Sequence, residues 1–178
     1  MDAGAPSRAE MLRGIAGAPG VAIGTAVVMG SARNTYPRRH VHDDEAPGEL
    51  ARFSDAVENV TRNLHDMSGR LEQHHVAILE AYAAMVGDVV LLEAVKKQIE
   101  VEKRCAEWAV VAACADIARR IAAVDDPYLR ERSHDVEFVG ERLLRALGGH
   151  PAERTIPHLT GPSIIVAHDL SPADTAAM

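Results

Sequence analysis

The spacing of apolar residues changes along the chain, and each change marks an element. Leu50, Phe53, Val57, Val60, Leu64, Met67 and Leu71 recur at alternating steps of three and four, the pattern of a helix with one apolar face. A second helical pattern covers about Gln73 to Val86 and a third about Val89 to Val101, with Gly87-Asp88 as the break. A fourth, rich in alanine, runs from about Ala106 to Val124 with Trp108, Val111, Ala115 and Ile121 in phase. Asp126-Pro127 opens a fifth, aspartate as N-cap and proline at the first helical position. Leu129, Val136 and Leu143 mark its buried stripe, and Gly148-Gly149 closes it.

Strand patterns flank this helical block. Gly14 to Met29 is a glycine-rich turn feeding a short β-branched run, which predicts a strand near Ala22 to Met29. Ser31 to Pro47 is polar, is punctuated by Pro37 and Pro47, and suits a connector. After a polar loop with Pro151, Pro157 and Pro162, Ser163 to Ala167 reads as a second strand, and Ser171-Pro172-Ala173-Asp174 as the N-terminus of a further helix. The order predicts a helical insertion in a strand-bearing unit that is itself truncated. The expected bounds are a flexible stretch 1–12, a first part of the α/β unit 13–42, a helical subdomain 43–147 and a return 148–178.

Composition narrows this picture. Hydrophobic residues make up 47% of the 178 positions but aromatics only 3%, so the core is aliphatic and alanine-rich, as close-packed helices allow. The net charge is -7, and 43–88 holds ten acidic residues against Arg52, Arg62 and Arg70. An acidic helical surface disfavours nucleic acid and favours a basic protein partner, though a solvated face has the same composition. Cys105 and Cys114 are half a turn out of phase on one helix and cannot pair with each other, which suits reduced thiols in a cytoplasmic protein. No membrane-length apolar run and no signal-peptide core occur.

The sharpest metal reading rests on two E-x-x-H pairs, Glu72 with His75 and Glu131 with His134, since such pairs build di-iron bundles. Helical geometry argues against it, because Glu131 and His134 fall opposite Leu129, Val136 and Leu143. The expected metal content is therefore none. No nucleophile elbow, Walker loop or dinucleotide fingerprint occurs. Gly14, Gly17, Gly20 and Gly24 serve turns and close packing.

Four stretches carry a resemblance. Gly14-Ile15-Ala16-Gly17-Ala18-Pro19-Gly20-Val21-Ala22-Ile23-Gly24 is similar to the opening G-I-x-A-S-P-G-I-A-x-G segment of the Enzyme I type of phosphoenolpyruvate-protein phosphotransferase. Ala77-Ile78-Leu79-Glu80-Ala81-Tyr82, ending in Asp88, is similar to that family's A-I-F-x-A-H…D helix. Asp125-Asp126-Pro127-Tyr128-Leu129-Arg130-Glu131-Arg132, then Asp135-Val136 and Gly140-Glu141-Arg142-Leu143-Leu144, resembles D-D-x-Y-L-x-E-R-x-x-D-V-x-D-x-G-x-R-L-L, the most specific of the four. Ile164-Ile165-Val166-Ala167-His168-Asp169-Leu170-Ser171-Pro172 resembles I-L-V-A-x-D-L-T-P.

The resemblance implies a mainly α architecture, a bundle of four to five helices that binds the phosphocarrier HPr, inserted in a truncated swivelling α/β phosphohistidine subdomain. Carried over by position, Ala84, Met85 and Leu91 form the apolar floor of the docking groove and Arg132 contacts the carrier from the last helix. The alternative for Met85 and Leu91 is an ordinary core position. The family's phosphorylated histidine lies in a G-G-x-T-S-H-x-A motif that this sequence lacks, so no catalytic residue is expected and the chain alone is expected to be inactive. Mg²⁺ and phosphoenolpyruvate sites, and homodimerisation of the parent, belong to a later domain. Leu79 and Tyr82 depart from the family's Phe and His, and Gln73, His74, Gly87, Val89 and Val90 stand where acidic residues are expected. An atypical HPr, such as that of a nitrogen-regulatory branch, is compatible with these departures. The rival from another class is a stand-alone helical adaptor without phosphotransfer.

Overall fold

The structure, a computed structural model, describes residues 11–16, 19–29, 36–69, 73–149, 161–167, 170 and 174–175, without the side chains at 73–75, 129 and 131. Its elements are β1 (Thr25–Met29), α1 (Ala46–Ser68), α2 (Gln73–Val86), α3 (Val89–Glu100), α4 (Ala106–Ala122), α5 (Pro127–Leu147) and β2 (Ser163–Ala167). The five helices pack as a bundle, and β1 and β2 pair in parallel, Thr25 opposite Ser163 through Met29 opposite Ala167. The whole helical block therefore lies between two neighbouring strands.

Helix ends follow local chemistry. Pro47 sits in the first turn of α1, where its missing N–H costs nothing. Asp88 breaks α2 from α3 and caps α3, its carboxylate accepting the Val90 N–H at 2.8 Å. Asp126 does the same for α5 at the Tyr128 N–H, 2.8 Å. Gly149, at φ 72°, takes the left-handed turn after α5 that favours glycine.

Helix α4 has no local cap, because Cys105 at that position makes no side-chain bond to the helix. A carboxylate from another helix replaces it: Glu49 Oε2 accepts the Ala106 N–H at 2.9 Å. Glu49 is buried and is charge-balanced by Arg39 and Arg52, the latter also bonding Glu107. Part of the acidic stretch 43–88 is thus charge-balanced. Asp43 pairs with Lys103, Glu45 with Arg39 and Glu58 with Arg62.

The core is aliphatic, as expected. Phe53, Val60 and Leu64 of α1 meet Leu79 and Val86 of α2, Val95 and Ile99 of α3, Val110 of α4, and Val139 and Leu143 of α5. Each such side chain contributes roughly 1.5–3 kcal/mol when fully buried. The phase of α4 departs from expectation. Ala109, Val110, Ala113, Cys114 and Ala118 are buried, while Ala115 is exposed and Trp108, Val111 and Ile121 are only partly covered. In a helix where nearly every position is apolar, the closest neighbour sets the phase, and here that neighbour is Gly140 of α5, facing Cys114.

Strand β1 starts later than the β-branched run suggests. Pro162 precedes β2 and has no N–H to donate, so the ladder opens with Thr25 N–H to the Pro162 carbonyl at 3.0 Å. A Cβ on Gly24 would lie 2.4 Å from that carbonyl oxygen, which makes glycine necessary at the entry to β1. The connector also packs more closely than its polar composition suggests. Val41 is buried, its N–H bonds Lys103 O at 2.8 Å, and His40 forms an antiparallel bridge with Arg104. Cys105 and Cys114 are both free and buried. Leu71 and Ser171-Pro172-Ala173 lie outside the described residues; Asp174 and Thr175 are helical.

Candidate functional site

Four helix segments converge on one apolar cleft of about 210 Å³. Met85 and Asp88 come from the end of α2 and the cap of α3, and Val90 and Leu91 from the first turn of α3. Ile117 and Ile121 come from the last turns of α4, and Val136 and Val139 from α5. Asp88 shapes this site as well as capping a helix, because the tight break between α2 and α3 sets Met85 beside Leu91. Leu91 is buried at the floor, Met85, Ile117 and Ile121 are half-covered, and Val89 and Val90 stand exposed at the edge. An apolar cleft presents surface that gains free energy when a partner removes it from water.

A cation near this cleft is Arg132, one turn before Val136 on α5 and so on the same side of the helix. It is more than half exposed yet tethered. Its Nη1 donates to Asp135 Oδ2 at 3.0 Å, its Nη2 to the Tyr128 hydroxyl at 3.0 Å, and its guanidinium lies 5.0 Å from the Tyr128 ring centre. These bonds, that to Asp135 foremost, raise its already high pKa further, so the charge is permanent. Asp135 is held from inside the bundle: its Oδ1 accepts the Tyr82 hydroxyl at 2.9 Å. Burial, followed by the neighbouring Asp135 carboxylate, pushes the Tyr82 phenol well above its ordinary pKa, so Tyr82 remains a neutral donor. Deeper still, Arg142 pairs with Asp174 at 3.1 Å, both buried, which ties α5 to the segment after β2.

Of the four residues expected at a docking groove, Met85 and Leu91 line the cleft together. Ala84 is exposed on α2 beside Met85 and does not line it, and Arg132 stands near it without lining it. Sequence reasoning missed Ile117, Ile121, Val136 and Val139 as cleft residues. Their i,i+4 and i,i+3 spacings signal an apolar face, which is equally the signal of a core. Tyr82 stood out only as a departure from a motif, and its bond to Asp135 spans a gap that no local pattern reveals.

The metal reading gains no geometry. His134 is exposed and lies 3.5 Å from Glu137. Glu72 and the side chains of His75 and Glu131 fall outside the description. Among the described residues no group of three or more His, Cys, Asp or Glu could hold a metal ion, and no described helix is long and apolar enough to cross a membrane.

Five helices carried between two adjacent parallel strands, with an apolar cleft between helix ends, define the class: a mainly α module on a small sheet. Comparison with known proteins then gives the family. The model of the PEP-utilising enzyme, N-terminal family matches residues 13–132, and the chain belongs to it. It is 35% identical over 167 residues to a phosphoenolpyruvate-protein phosphotransferase of Streptomyces coelicolor, and 31% over 175 residues to one of Cupriavidus necator. These alignments cover 94% and 92% of this chain and 30% of each relative, so the chain spans about a third of their length. Among solved structures, an NMR structure of an Enzyme I protein superposes with a TM-score of 0.77 at 28% identity, covering 94% of this chain and 69% of that one. A structure described as the N-terminal domain of Enzyme 1 - Nitrogen superposes at 0.65 and 25%, covering 90% and 66%.

Proposed function

We propose that this chain is the carrier-docking part of a phosphoenolpyruvate-protein phosphotransferase and that its own activity is to bind an HPr-type phosphocarrier in the cytoplasm. The observation that carries the reading is the cleft between α2, α3, α4 and α5, with Arg132 tethered nearby, in a member of this family. In this reading the helical subdomain 43–147 docks the carrier, and 13–42 and 148–178 contribute to the α/β unit without supplying the histidine that carries the phosphoryl group. Met85 and Leu91 receive the carrier's apolar side chains, Ala84 borders them, and Arg132 supplies a charge at the edge. Desolvation of the cleft provides affinity, and the charge governs approach and register.

The transfer chemistry lies elsewhere in this reading. None of the nine histidines sits in a G-G-x-T-S-H motif, so the chain supplies no phosphate acceptor, and phosphoenolpyruvate and Mg²⁺ bind in a later domain. Chemical-shift mapping tests the docking. Unlabelled HPr-type carrier is titrated into the ¹⁵N-labelled chain, and the largest shifts are expected at 84–91, 117–121 and 132–139. Shifts confined to other surfaces, or none at all, would refute it.

A further inference from the structure

We propose that Tyr82, Asp135 and Tyr128 form a relay from the core to the surface that fixes the Arg132 guanidinium beside the cleft before any partner arrives. The relay deepens the docking reading and rests on it for its purpose, but not for its existence.

Arg132 is exposed, and a free arginine on a helix surface samples many rotamers. Ordering it when a partner binds would cost conformational entropy. Here the ordering is already done. Two N–H groups are taken by Asp135 and the Tyr128 hydroxyl, and the Tyr128 ring lies near the guanidinium. A guanidinium carries five donors, so further N–H groups remain to bond an acceptor oxygen on the docked partner.

Asp135 could not hold this position by itself, since a carboxylate that bonds only one cation on its own helix turns with it. Its second oxygen accepts the hydroxyl of Tyr82, a residue of a different helix that is 3% exposed as a whole. The charged groups around that hydroxyl are Asp135, Arg142 and Asp174. Arg142 and Asp174 bond each other, and Asp135 receives the tyrosine. A phenol has one donor and presents it in its neutral form.

The test uses two measurements on the whole chain, wild type and the Tyr82→Phe, Tyr128→Phe and Arg132→Ala variants. The first is the Arg132 Nε–Hε signal in ¹⁵N spectra, which needs no partner. In the wild type it should stand apart from free arginine, and in Tyr82→Phe it should move toward the free position. Tyr128→Phe alters only an exposed residue, is safe for folding, and should move the same signal. The second is calorimetric titration with an HPr-type carrier. Tyr82→Phe should weaken binding roughly three- to tenfold, the cost of ordering one long side chain. It should have no further effect in an Arg132→Ala background, because residues acting through one group are not additive. An Arg132 signal unmoved by both tyrosine variants overturns the relay, as does equal weakening by Tyr82→Phe with and without Arg132. A wild-type chain that binds no carrier, with the signal still moved by Tyr82→Phe, leaves the relay standing and overturns the docking reading.

Discussion

Gly140 of α5 packs directly on Cys114 of α4, so closely that a Cβ at position 140 would lie 3.0 Å from the thiol sulfur and 3.3 Å from its Cβ. Both residues are buried in the most extensive helix pairing of the bundle. Gly140→Ala should therefore destabilise the chain by about 1–3 kcal/mol through overpacking, despite the better helix propensity of alanine. Urea denaturation measures this, and Cys114→Ala in the same chain should recover most of the loss by making room. A Gly140→Ala chain as stable as wild type would mean that the two helices can separate without cost.

The Cys114 thiol also confers a pH dependence. Burial, and secondarily the negative charge of Glu137, pushes its pKa up to about 12 from an ordinary value of 9.0. The unfolded chain loses this proton near its ordinary value while the folded chain keeps it, so stability is complete below about pH 9 and falls as pH rises toward 12. Three units correspond to about 4 kcal/mol at most. Tyr82, raised in the same direction, adds to the loss above its own ordinary value. Stability measured from about pH 8 to about pH 10 should decline in wild type and stay flat in Cys114→Ala. Parallel declines would assign the effect to other groups.

Glu49 does three things at once: it caps α4 through Ala106 N–H, and it binds Arg39 and Arg52. Removing the carboxylate in Glu49→Ala leaves a buried N–H without an acceptor, which costs about 1–3 kcal/mol. Arg39 and Arg52 are nearly half exposed and can turn to water, so the full penalty of a stranded buried charge does not apply. Glu49→Gln keeps an oxygen acceptor and should cost less than Glu49→Ala. The ranking of the two melting temperatures decides the point, and equal losses would show that charge matters more than the cap.

Helices α3 and α5 could be read from the sequence nearly to the residue, because Asp88, Asp126, Pro127 and Gly149 act on their own backbone neighbours. The start of α4 falls at Ala106, as its apolar pattern indicates, but its cap could not be read, since Glu49 comes from a helix far away in sequence. Alanine-rich α4 was also the one helix whose buried face was misplaced at Ala115: small apolar residues all round leave the choice of face to packing. At the site, Met85 and Leu91 were reached through a family likeness, which their spacing alone could not separate from core. Tyr82 with Asp135, and Val136 with Ile117, meet only once α2, α4 and α5 are folded together.

Docking is the central claim, and two substitutions probe its two physical parts. Met85→Asp places an unpaired carboxylate in the apolar cleft, which costs several kcal/mol of binding through desolvation. Arg132→Glu reverses a rim charge and should slow association and change its salt dependence. Circular dichroism establishes that both variants remain helical.

The most direct measurement is the affinity of an HPr-type carrier for wild type, Met85→Asp and Arg132→Glu, at low and at high salt. Expected are a saturable wild-type complex, a loss of at least about a hundredfold, or roughly 3 kcal/mol, for Met85→Asp at either salt, and an Arg132→Glu deficit that shrinks as salt rises. Folded variants that bind the carrier as tightly as wild type would contradict docking at this cleft.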